Sequence, residues 1–82
     1  MTKQEYLKSI GYEHSDYVEF YFEKIYKSFD GRFMSMCIDL DRNKYFVVIP
    51  SGIAIENQRE IDDLQIVFNN VKRDFEEMQK YD

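Results

Sequence analysis

His14 and Cys37 are the only imidazole and the only thiol in this chain of 82 residues. Each is half of a site that needs two. A structural zinc ion takes four ligands, and neither a second His nor a paired Cys stands at ligand spacing from either residue. A cysteine nucleophile needs a base beside it, and His14 lies in a polar stretch, Tyr12-Glu13-His14-Ser15-Asp16, that reads as a surface connection. Cys37 sits between Met36 and Ile38, the setting of a buried, inert thiol. The carboxylates do no better. Asp39-Leu40-Asp41-Arg42-Asn43 begins like a calcium loop but lacks the loop glycine and the closing Glu, so it reads as a hairpin turn. The three glycines are isolated, with no phosphate-binding loop. These residues predict no catalytic site, no metal and no cofactor, and hence a protein that acts by binding.

Sixteen acidic residues against eleven basic ones leave a net charge of −5. Such a chain repels phosphate, which argues against direct contact with nucleic acid or an anionic membrane and is compatible with a basic protein partner. A single cysteine excludes an internal disulfide and suits a reducing compartment. The polar N-terminus and the lack of any long apolar run predict a cytoplasmic protein without a membrane span.

The length suits one domain over residues 1–82. A short helix is predicted over residues 3–10. Thr2 and Glu5 have capping-box spacing, Tyr6, Leu7 and Ile10 share a face, and Gly11 ends it. Residues 17–29 are ambiguous. As a helix, Asp16 caps it and Val18, Tyr21, Phe22, Ile25 and Phe29 form a stripe. As a strand, Val18, Phe20 and Phe22 face one way and Tyr17, Glu19, Tyr21 and Glu23 the other. The hairpin that follows decides for a strand, because two strands alone are marginal. In that hairpin Met34, Met36, Ile38 and Leu40 alternate with Ser35, Cys37 and Asp39, Asp41-Arg42-Asn43 turns, and residues 45–49 return. Pro50-Ser51-Gly52 ends the return strand, and residues 53–55 could add a short extended piece. Over residues 57–80 a long amphipathic helix repeats Ile61, Leu64, Phe68, Val71, Phe75 and Met78 at spacings of three and four. The predicted fold is α+β, in the order α-β-β-β-α, with the long helix across a three-stranded antiparallel sheet. A helical 17–29 would give α-α-β-β-α.

Two surfaces could bind a partner. One is the sheet face away from the long helix, carrying Glu19 and Glu23 beside an apolar set of Tyr21, Phe33, Phe46 and Val48. It has the aromatic-plus-polar make-up of an interface, and the first helix could cover part of it. Left open, it could pair weakly with a second copy. The other is an acidic stripe on the long helix, Asp62, Asp63, Glu76 and Glu77, with Asn69 and Asn70 between them. Arg59, Arg73 and Lys80 run alongside and partly neutralise it.

The succession of Asp16-Tyr17-Val18, the hairpin from Ile38-Asp39-Leu40-Asp41 through Arg42-Asn43-Lys44 to Tyr45-Phe46-Val47, and the long helix resembles small acidic accessory proteins of bacteriophages and mobile elements. Among these are anti-CRISPR proteins, some of which present carboxylates in place of DNA phosphates to an RNA-guided nuclease. The resemblance implies an inhibitor docking on the basic surface of a larger, nucleic-acid-binding protein. An immunity protein or antitoxin against a basic toxin, or a homodimeric assembly component, are the alternatives.

Overall fold

The computed structural model describes residues 1–16, 20–27, 31–49 and 55–82. Helix α1 spans Lys3–Ser9, and the capping box read from the sequence is present. The Thr2 hydroxyl accepts the Glu5 N–H at 3.1 Å, and the Glu5 carboxylate accepts the Thr2 N–H at 2.9 Å. Gly11, at φ +101°, takes the left-handed conformation that lets the chain leave the helix. The Tyr12 N–H then bonds the Leu7 carbonyl at 2.9 Å.

Four strands follow: β1 (Glu13–His14), β2 (Tyr21–Lys27), β3 (Phe33–Asp39) and β4 (Lys44–Val48). They form one antiparallel sheet in the order β1-β2-β3-β4. The strand reading therefore holds for Tyr21–Lys27 and the helical alternative does not. Residues 17–19, 28–30 and 50–54 lie outside the described residues, and with them Glu19, residues 17–18 and 28–29 of the 17–29 segment, and residues 53–54 of the extended piece proposed at 53–55. Phe20 is a turn residue before β2, and Ile55 is in no strand. The count of strands is corrected from three to four. Glu13 and His14, read as connection, pair with Glu23 and Phe22. Two residues are too few to show a period of two, so only the neighbouring strand defines them.

The β3–β4 hairpin turns where expected. The buried Asp39 carboxylate accepts the N–H groups of Asp41 (3.0 Å) and Arg42 (3.1 Å), and Asn43 is left-handed at φ +53°. Asn tolerates that conformation through its short polar side chain.

Helix α2 spans Gln58–Met78, with the Asn57 side chain accepting the Glu60 N–H at 2.9 Å. The core joins Leu7 and Tyr12 to Phe22, Met34, Met36 and Ile38 of the sheet and to Val67, Val71 and Met78 of α2. Both helices thus lie on one side of the sheet, Tyr6 stacking on Tyr81 with ring centroids 4.8 Å apart. The expectation that α1 could shield the other side is corrected. Leu7 is fully buried among side chains of α2 and the helix-facing sheet residues, so α1 belongs to the same layer as α2.

The buried line of α2 also differs from its apolar stripe. Glu60, Val67, Val71, Asp74 and Met78 are buried, whereas Ile61 and Phe68 are 47% and 41% exposed. At about 100° per residue, the helix is rolled by roughly 50° from the orientation its apolar residues alone would choose. Two polar groups explain the roll. The Tyr12 hydroxyl donates to Asp74 Oδ2 at 2.9 Å. Glu60 accepts from the Glu56 N–H (2.9 Å) and Asn57 Nδ2 (3.1 Å) and meets Arg32 Nη2 at 3.2 Å. Buried carboxylates with such partners are stabilised in place, and without them would be expelled.

Candidate interaction surface

Strand alternation divides the sheet residues into two sets. Phe22, Met34, Met36 and Ile38 point to the helices and are buried. Lys24 is on the same side, its ammonium donating to the Ile10 carbonyl at 2.8 Å and lying 5.8 Å from the centre of the Tyr12 ring. The opposite set faces away from both helices. The pairing register arranges it in rows: Tyr21, Asp39 and Lys44; Glu23, Cys37 and Phe46, with Glu13 beside Glu23; Ile25, Ser35 and Val48; and Lys27 with Phe33.

This outward face has a closed end and an open end. At the closed end Tyr21 and Phe46 tilt together, centroids 5.8 Å apart, over Cys37. The Tyr21 hydroxyl donates to Cys37 Sγ at 3.0 Å, and Cys37 is wholly buried. Burial raises the thiol above its ordinary value, the negative charge of Glu23 adds to this, and the Tyr21 hydrogen bond opposes it. Cys37 is therefore protonated at neutral pH and a poor nucleophile. Burial, and then the bond to Cys37, likewise push the Tyr21 phenol up. At the open end Ile25 and Phe33 are each 54% exposed and Val48 is 43% exposed. Large side chains so open on a flat sheet are unusual when they adjoin one another.

The structure gathers Tyr21, Phe33, Phe46, Val48 and Glu23 onto this one face, as the alternation implies. Ile25 was missed, although continuing the Tyr21–Glu23 alternation by two residues reaches it. Lys44 and Glu13 were missed too, Glu13 because its strand is too short to be legible.

The second set of candidate residues lies elsewhere. Asp62, Glu76 and Glu77 are exposed and Asp63 is half-buried on α2, across the helix layer from the outward face. The Asp62 carboxylate accepts from Gln58 Nε2 at 2.9 Å, and Glu77 pairs with Lys80 at 2.9 Å. Exposed Arg59, Lys72, Arg73 and Lys80 are interspersed among them. No flat partner can touch Glu23 and the α2 acids at once.

His14 is exposed on the edge strand, its ring edge-on to Phe22 at 5.0 Å. Among the described residues no group of three His, Cys, Asp or Glu side chains could hold a metal ion, and no helix is long and apolar enough to cross a membrane. The buried Tyr12–Asp74 bond ties the end of α1 to α2, and burial followed by that bond raises the Tyr12 phenol well above its ordinary value. Its sequence signal was the placing of Asp74 between Val71 and Met78 on the line 67-71-74-78. The chain matches no protein-family model, and no curated protein or solved structure matches it.

Proposed function

We propose that this chain is a non-catalytic protein-binding module whose docking surface is the outward face of the sheet. One observation carries the reading. Both helices pack on the same side, so the face bearing Ile25, Phe33, Phe46 and Val48 has no covering layer among the described residues. A two-layer domain normally buries one face of its sheet and keeps the other polar. Here the uncovered face has an apolar centre with charged margins, the pattern of an interface.

The net charge of −5 favours a basic partner, and Asp62, Glu76 and Glu77 add long-range attraction during approach. The resemblance of the sequence to small acidic anti-CRISPR inhibitors suggests inhibition of a nucleic-acid-binding protein as the form this binding takes. The interspersed cations Arg59, Lys72 and Arg73 on α2 make those acids a steering field rather than a phosphate mimic.

The test is capture from host lysate with wild-type protein and two variant sets. One is Phe33→Asp with Val48→Glu on the sheet face. The other is Asp62→Lys, Asp63→Lys, Glu76→Lys and Glu77→Lys on α2. The reading expects the captured protein to be lost with the face variants and to bind the helix variants more slowly. Capture that survives the face changes and is abolished by the helix changes would move the site to α2.

A further inference from the structure

The outward face carries a charge pattern that an apolar docking surface alone does not require. Glu13 and Glu23 are directly paired across β1 and β2, and like charges in that position repel. Neither makes an ion pair among the described residues. Lys44 stands at the other margin of the same face, on β4, with its ammonium 5.5 Å from the centre of the Phe46 ring. Lys27 shares the face beyond Ile25. Asp39 is turned inward to the hairpin amides. The accessible described charges of the face are therefore two carboxylates and two ammoniums, in a molecule whose total is −5.

We infer that, without its partner, the outward face docks on the same face of a second copy, about a two-fold axis parallel to the strands. Such an axis exchanges the margins of the sheet. It lays Glu13 of each copy over the β4 margin of the other, one row along from Lys44, with Glu23 over β3, and brings the two apolar centres together. An isologous contact must be complementary to itself. This face is complementary at its two edges, with Glu13 on β1 and Lys44 on β4, while Lys27 lies on β2 with Glu23. It also lets two acidic molecules approach without opposing net negative charge, which the acidic chain elsewhere discourages.

The size of the face sets the strength. Three inter-strand gaps of about 4.8 Å and strands of about 24 Å give on the order of 400 Å² per copy. The total stays below the roughly 1,200 Å² at which stable interfaces begin. The dimer is weak, dissociates on dilution, and is displaced by a partner that covers more surface. This inference rests on the proposed docking face.

Sedimentation equilibrium of the full chain across micromolar to millimolar concentration tests it. Wild type is expected to move from monomer to dimer. Val48→Glu, and independently Phe33→Asp, should each raise the dissociation constant about tenfold or more, a change worth at least ~1.4 kcal/mol, with thermal melting of each variant confirming the fold. Lys44→Glu alone and Glu13→Lys alone should weaken the dimer, and the two together should restore it. A strict monomer, a dimer indifferent to Val48→Glu and Phe33→Asp, or charge changes without mutual rescue would each overturn the inference. None of these results touches the docking reading, which fails only if lysate capture survives the face variants.

Discussion

The two faces of the sheet are built from the same strands and differ only in which alternate residues they receive. On the helix side Phe22, Met36 and Ile38 are essentially closed to solvent. On the other side Ile25, Phe33 and Val48 remain about half exposed while Cys37, one row along from Ile25 and Val48, is sealed beneath Tyr21 and Phe46. These apolar residues are similar in hydrophobicity, although the outward face also carries Glu13, Glu23, Lys27 and Lys44. What separates them is whether a second layer arrives. Both helices go to one side because Leu7 and Tyr12 on the first segment meet Val67, Val71 and Asp74 on the last, and no described helix covers the other side.

That contrast can be broken most sharply by truncating one aromatic on each face. Phe22→Ala should cost about 3–5 kcal/mol, a large share of the stability of so small a domain. Phe33→Ala should change stability by no more than about 0.5 kcal/mol. Urea unfolding of both variants decides it, and equal losses would show the outward face to be covered.

Next in size is the buried bond that holds the helices together. Tyr12→Phe leaves Asp74 without its phenol donor and should cost about 1–3 kcal/mol by the same measurement. The bond also sets an alkaline limit. Because the folded phenol is raised above its ordinary value of 10.0, the unfolded chain loses its proton first. The stabilisation is complete below about pH 10 and declines above it. Tyr21 is raised in the same direction and contributes in the same window. Melting temperature should fall more steeply above pH 10 in wild type than in Tyr12→Phe.

Phe68→Ala tests the roll of α2. Phe68 packs on Tyr45, centroids 5.5 Å apart, yet is 41% exposed. The loss should be about 1–2 kcal/mol rather than the 3–5 kcal/mol of a full core phenylalanine. A loss as large as that of Phe22→Ala would place the apolar stripe, and not the Val67–Asp74 line, against the sheet. The smallest effect belongs to the N-cap of α1, where Thr2→Ala should cost about 1 kcal/mol in urea titration while leaving association on the outward face unchanged.

Local chemistry by itself determined several parts of this molecule. Thr2 and Glu5 make the capping box their spacing requires, and Asn43 takes the left-handed turn. The alternation from Met34 to Ile38 makes β3, and the threefold and fourfold spacing over residues 58–78 makes α2. The outward set of Tyr21, Glu23, Phe33, Phe46 and Val48 follows from alternation alone. Each of these depends on neighbours within a few residues, so the sequence carries it directly. Only the tertiary structure decided which face the helices cover, that Glu13 and His14 form a fourth strand, and how far α2 rolls. Those outcomes depend on partners far apart in the chain. Tyr12 and Asp74 are 62 residues apart, and no local period records that a buried carboxylate in one helix will find its hydroxyl at the end of the other.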